Sequence, residues 1–386
     1  MLFYTISNVL LLVWAAIFCF RKPTKVKNMI FVMIAFTQFF IIMAFRYRVG
    51  VDYNMYAVGF RDMAEKGFSQ LSYLDWEPGF VIFNKLLGLI PGMDYQWYMV
   101  ILSVIAIVPM ALFIIKNSEV PWISTILYMN LFMFFMEMNF LRQMIAVSIL
   151  LLAWHFLKKN RFIIYTVLII IASLFHQTIL VMIPVYFLVK FKPGLKELFI
   201  YGFFLLWFYT ASSDFFDLIT TMFHEEYNDS IFIKTGVALI YSILPLFVTI
   251  VSFLLVKTET INLTRENKYL VNLTFIGTLL MLTMAKHSII ERLSYFFIPF
   301  MLLLVPVIYR SLKTKGIYYV RKNEKVIDLT APRKRTIMAV VFLLLVLALS
   351  YVHLYYGLFE NAHGAMFDDG HGSLNYRSWV SWLNFI

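Results

Sequence analysis

Long apolar runs alternate with short polar connectors along nearly the whole chain. A run of about 20 apolar residues is long enough to cross a bilayer as a helix, and shorter runs can do so when tilted or broken. The pattern predicts such segments at 2–20, 29–45, 97–115, 121–136, 141–157, 162–175, 177–189, 198–211, 233–256, 269–285, 293–309 and 337–356, about twelve in all. The runs 162–175, 177–189 and 198–211 are short and read as tilted or broken helices. The expected fold is all-α, a single polytopic membrane domain over residues 1–386. The run Leu2–Phe20 has no basic stretch before it and no small-residue cleavage site after it. It is read as a retained span rather than a signal peptide.

The connectors set the orientation. Twelve spans place both termini on one side, and basic residues favour cytoplasmic connectors. With the N-terminus outside, the inner connectors hold 23 of the 33 lysines and arginines and the outer side keeps 10. The expected topology is N-out and C-out. The outer parts are the loops 46–96 and 212–232 and the tail 357–386; the inner loop 310–336 is strongly basic and suited to anionic lipid. Composition agrees: 61% hydrophobic residues, 40 phenylalanines, 23 tyrosines and 8 tryptophans exceed what a soluble core can hide. The net charge of +11 is spread over short loops, which excludes a nucleic-acid-binding domain. The one cysteine, Cys19, lies in an apolar run, so there is no disulfide framework.

Within the first outer loop, Tyr56, Phe60 and Met63 share one helical face, opposite Arg61, Asp62, Glu65 and Lys66. This reads as an interfacial helix lying on the membrane, with Asp52 as its N-cap. The stretch Trp76-Glu77-Pro78-Gly79-Phe80 then opens an apolar segment too short to span, a surface or re-entrant helix capped by Glu77. Glu137-Met138-Asn139-Phe140 reads as a small outer turn, with Arg142 and Gln143 in the first turn of the next helix. His176 falls in a hinge between two apolar runs, and Arg292, Tyr295 and Phe296 share a helical face. The acidic loop 212–232 reads as a solvated surface.

The polar groups expected at the outer face are Arg46, Arg48, Asp52, Glu77, Arg142, His176 and Arg292. Arginines converging at a lipid–water boundary suit a phosphate-bearing lipid, because the guanidinium stays charged and grips phosphate oxygens with two N–H groups. The plain alternative is snorkelling to phospholipid headgroups. If a bond to the phosphate breaks, the same cations stabilise the departing charge. A base must then take a proton from the attacking hydroxyl. The candidates are His176, Asp52 and Glu77, with His176 preferred because an imidazole exchanges protons near neutral pH. The sequence has no metal-binding motif, no glycine-rich phosphate loop and no Gly-x-Ser-x-Gly. Catalysis is expected to need neither metal nor cofactor.

Five motifs carry a resemblance. They are Arg46-x-Arg48-x-Gly50-x-Asp52-Tyr53-x-x-Tyr56, Glu77-Pro78-Gly79-Phe80, Arg142-Gln143-x-x-Ala146, His176-x-Thr178 and Arg292-x-x-Tyr295-Phe296. In this order, on a chain of this size, they resemble the EpsG-type, Wzy-like polysaccharide polymerases of bacteria. The resemblance implies a metal-independent membrane glycosyltransferase of the GT-C type, making O-antigen, capsule or exopolysaccharide. It would move a growing glycan from undecaprenyl pyrophosphate to a lipid-linked repeat unit at the outer face. Arg46, Arg48, Tyr53, Tyr56, Arg142, Gln143, Arg292 and Tyr295 would bind the pyrophosphate and substrate. Implied partners are that lipid-linked oligosaccharide, membrane lipid and a chain-length regulator, with no nucleic acid. A lipid-linked-oligosaccharide flippase and an O-antigen ligase or membrane acyltransferase are the competing readings. The flippase fits less well, because charged residues avoid the span centres.

Overall fold

The computed structural model describes residues 2–50, 52–67, 76–194, 238–283, 290–321 and 324–363, with scattered residues between 196 and 210. The loop 212–232 and the tail from 364 lie outside them. The described chain is helical apart from one small hairpin. In order it forms α1 (Leu2–Ala15, continued by a π turn Ala16–Phe20), α2 (Lys25–Ala44), α3 (Tyr53–Glu65), α4 (Pro78–Gly88) and α5 (Tyr95–Asn117). There follow α6 (Pro121–Asn130), α7 (Met133–Asn139), α8 (Leu141–Lys158), α9 (Phe162–Ser173), a 3₁₀ turn (Gln177–Val181) and α10 (Met182–Leu188). The rest is α11 (Ile240–Lys257), α12 (Arg265–Thr283), α13 (Ile290–Ser294), α14 (Ile298–Thr314), strands β1 (Tyr318–Arg321) and β2 (Glu324–Asp328), and α15 (Pro332–His363).

Six of these segments are long and apolar enough to cross a membrane: Leu2–Phe20, Lys25–Ala44, Tyr95–Asn117, Leu141–Lys158, Ile240–Lys257 and Pro332–Leu358. The protein is therefore a mainly helical membrane protein. The predicted run 198–211 lies largely outside the described residues, and 269–285 falls in α12, a helix of 19 residues that opens with Arg265, Glu266 and Lys268. The run 121–136 is broken into α6 and α7 because Phe132 adopts a left-handed backbone, φ +64°. The run 177–189 opens as 3₁₀ before α10. The basic inner loop is not wholly irregular, since β1 and β2 pair antiparallel within it, a departure from the all-α expectation.

The helices group into two compact units. The first comprises Met1–Asn117, Thr125–Ile183 and Leu354–Ile386, and the second Ser118–Ser124 and Pro184–His353. Aromatic packing and a few polar pairs hold the first together. Phe36, Phe39, Tyr128 and Phe134 form a cluster with neighbouring ring centroids 4.8–5.4 Å apart. Asn8 of α1 donates to Asn130 at 2.6 Å, and Gln38 of α2 donates to the Ser7 hydroxyl at 2.6 Å. Apolar contact alone gives helices little reason to associate in lipid, so such bonds and close packing carry the specificity. In the second unit Thr249 and Thr278 join α11 to α12 at 2.8 Å. The Asn272 amide donates to the Val189 and Phe191 carbonyls at 2.9 and 2.8 Å.

Two expectations about the outer connectors change. On α3 the predicted face is present, with Tyr53, Tyr56, Phe60 and Met63 buried. It packs on protein rather than lipid: Phe60 stacks on Tyr98 of α5 at 4.3 Å and Tyr56 meets Trp76 at 5.6 Å. The segment 137–140 is not a surface turn either. Glu137 lies in α7, 2% exposed, and accepts a hydrogen bond from the buried Tyr128 hydroxyl.

Candidate active site

The site begins where α4 meets the end of α9. Pro78 occupies the first turn of α4, where its missing N–H costs nothing, and Glu77 precedes it in an extended conformation. The Gly79 N–H donates to the Leu174 carbonyl at 2.9 Å. This contact needs glycine, because a Cβ there would lie 2.6 Å from the Leu174 Cβ and 2.7 Å from its carbonyl oxygen. Gly79→Ala should therefore lower stability by about 1–3 kcal/mol through overpacking, read as a lower unfolding midpoint in detergent; an unchanged midpoint would remove this docking contact from the account.

Two residues past Leu174 the chain straightens. The α9 ladder ends with Phe175 and His176 N–H groups both reaching the Ala172 carbonyl, and His176 takes an extended backbone ahead of the 3₁₀ turn. Its Nδ1 lies 3.2 Å from Glu77 Oε1. From the other side, Arg142 in the first turn of α8 donates Nη1 to Glu77 Oε2 at 2.5 Å. Arg142 also lies over the Trp76 ring, 5.6 Å from its centroid, and hydrogen-bonds the Tyr56 hydroxyl. A cation at a helix N-terminus is unfavourably placed, and the Glu77 carboxylate compensates it.

Glu77 thus stands between a guanidinium and an imidazole, with the three side chains 9%, 20% and 12% exposed respectively. Burial would raise its carboxyl, but the His176 hydrogen bond and the Arg142 charge outweigh this and hold it below the usual carboxylate range. The capping role expected for Glu77 is not the one it plays. It occupies the N-cap position of α4 but makes no cap bond, because its oxygens are engaged by Arg142 and His176.

The other predicted residues stand as follows. Asp52 is at the N-cap position of α3, also without a side-chain cap bond, and its charge acts on buried Tyr56. Tyr53 is buried; its carbonyl accepts the Tyr95 hydroxyl at 3.0 Å. Gln143 is buried on α8 beside Arg142. Arg48 is exposed, in a left-handed conformation with φ +51°, its guanidinium 5.3 Å from the Tyr47 ring centroid. Arg46, two residues past α2, is 1% exposed, and burial pushes it down to about 10 despite the nearby tyrosines. Arg292 and Tyr295 belong to the second unit, where the Tyr295 hydroxyl donates to Glu291 at 2.9 Å. Trp76 and the Leu174 carbonyl were not expected as site elements. Trp76 was visible only as a neighbour of Glu77, and a backbone carbonyl leaves no mark in the sequence.

Glu77, Arg142 and His176 come from three of the five motifs, and the fold brings them within hydrogen-bonding distance. Residues 29–361 match the EpsG family. The chain belongs to the EpsG family. All five motifs lie inside the matched stretch. No curated protein and no solved structure matches this EpsG-family member. It is a membrane protein of a polysaccharide-polymerase-like family.

Proposed function

We propose that this EpsG-family protein polymerises a bacterial polysaccharide, moving a growing glycan from undecaprenyl pyrophosphate to a lipid-linked repeat unit at the outer face of the cytoplasmic membrane. The observation that carries the reading is the Glu77–His176–Arg142 cluster within a chain of this family. A carboxylate on Nδ1 fixes an imidazole in the tautomer whose lone pair is on Nε2, the arrangement a general base requires. In the proposed step the acceptor hydroxyl oxygen attacks the anomeric carbon of the donor and its proton passes to His176 Nε2. The carbon–oxygen bond to pyrophosphate breaks, and the leaving group takes the electron pair. Glu77 holds the imidazole and stabilises its charged form. Arg46, Arg48 and Arg142 are the cations proposed to receive the pyrophosphate, with Tyr53, Tyr56 and Gln143 around the substrate; for Arg292 and Tyr295, of the second unit, the family resemblance alone supports a substrate-binding role. A chain-length regulator is the proposed partner.

The test uses cells that make the polymer. Replacing the wild-type protein with a Glu77→Gln form should leave single lipid-linked repeat units at the outer face. Accumulation at the inner face would identify a flippase instead. Full-length polymer that fails only to reach its final acceptor would identify a ligase.

The orientation has its own test. With both termini and the 46–96 loop outside, an impermeant thiol reagent should modify Gln70→Cys and miss Asn323→Cys in intact cells, each in a Cys19→Ser background. The reverse pattern would invert the topology.

A further inference from the structure

Trp76 is held from several sides beside the Glu77 cluster. Its ring meets Tyr56 at 5.6 Å and Phe80 at 5.5 Å, and the Arg142 guanidinium lies 5.6 Å from its centroid. The benzene edge of the indole enters a notch in α3. The notch exists because residue 59 is glycine: a Cβ there would collide with Trp76 Cη2 and lie 2.6 Å from its Cζ3. Glycine inside a helix is unfavourable, and α3 carries this one where the indole docks.

With its benzene edge in the notch, the covalent shape of the indole turns the pyrrole edge and its N–H away from Gly59. Trp76 is half-buried, and this N–H has no hydrogen-bond partner among the described residues. A tryptophan used only to fill space ordinarily pairs that group when it is buried. Here the donor is left over on the residue next to Glu77, whose Oε1 lies 3.2 Å from His176 Nδ1. A sugar ring carries C–H groups on its faces and hydroxyls around its rim. A fixed, half-exposed indole offers an apolar surface to the first and a donor to the second.

We infer that Trp76 is a sugar-binding residue, whose pyrrole edge seats a sugar ring of the lipid-linked substrate beside Glu77 and His176 while the N–H donates to a sugar hydroxyl. The inference rests on the polymerase reading and deepens it. It gives the carbohydrate a subsite of its own, separate from the cations proposed for the pyrophosphate. The competing role is a brace for Arg142 alone, and a brace would not distinguish a lipid that carries sugar from one that does not.

The first measurement uses the wild-type full chain in detergent, so it does not depend on a variant folding. Trp76 is oxidised by hydroxyl radicals and read by peptide mass spectrometry. The protein is mixed with bare undecaprenyl pyrophosphate or with the repeat-unit-bearing lipid extracted from cells lacking the protein. The repeat-bearing lipid should protect Trp76, and the bare lipid should not. The second measurement is the kinetics of Trp76→Phe, which keeps a ring beside Arg142 and removes the N–H. Its KM for the repeat-bearing lipid should rise about fivefold with kcat nearly unchanged, the loss of one hydrogen bond made equally in ground and transition states. The inference is overturned if the two lipids protect equally, if neither protects, or if Trp76→Phe keeps the wild-type KM. Sugar-dependent protection without any polymer ladder would keep the subsite and sink the polymerase reading, and a ladder without protection would do the reverse.

Discussion

Glu77→Gln should reduce polymer formation by about 10²–10³-fold, the cost of removing one preorganised electrostatic contact from an active site. The substitution keeps the shape of the side chain and removes its charge. Arg142 then sits at a helix N-terminus with no counter-ion from Glu77, and the His176 imidazolium formed in the reaction loses its stabilising neighbour. Truncating one member of a buried charged pair costs about 2–5 kcal/mol, and the lower end applies here because Arg142 is 20% exposed. The stability deficit should depend on pH with a fixed sign. The folded protein holds the Glu77 carboxyl below its usual range. Its contribution is therefore fully present above the ordinary glutamate value of about 4.3 and is lost as pH falls through the folded value. Wild type and Glu77→Gln should differ by a constant amount between about pH 6 and 8 and converge in acid. Chemical unfolding across pH checks this, and a difference that grows in acid would mean that Glu77 is protonated in the native state.

His176→Ala should lower turnover by about 10²–10⁴-fold, the usual contribution of a general base, and should flatten the acidic limb of the pH–rate profile. The comparison that decides is with Asp52→Asn. Asp52 stands at the start of α3 and acts on Tyr56, whereas His176 lies 3.2 Å from Glu77 with its backbone extended at a helix break. Asp52→Asn is expected to lose less and to keep the wild-type profile. If His176→Ala keeps both turnover and profile while Asp52→Asn loses them, Asp52 is the base and His176 only orders the α9 end.

The elements around this site were largely legible in the sequence. The spacing of Tyr56, Phe60 and Met63 marked the buried face of α3, Pro78 marked the start of a short helix, and His176 marked a break in an apolar stretch. What stayed hidden depends on distant partners. Glu77 before proline has the local pattern of a cap, and its actual partners are 65 and 99 residues away. The apolar face of α3 looked suited to lipid because its true cover, Tyr98 and Trp76, lies on other segments. The break at Phe132 has no proline or glycine to announce it; packing imposes the left-handed backbone on a residue that ordinarily avoids it. In the sequence Arg46 was one of several arginine candidates for binding an anion. Only its burial separates it from exposed Arg48, two residues along.

The most direct measurement is to incubate the purified protein with an undecaprenyl-pyrophosphate-linked repeat unit, with no nucleotide sugar and no other enzyme, and to resolve the products by size. The polymerase account predicts a ladder of glycans spaced by one repeat unit, with undecaprenyl pyrophosphate released, and a ladder greatly weakened by Glu77→Gln. Unchanged substrate, or a single transfer with no ladder, from well-folded wild-type protein would contradict it.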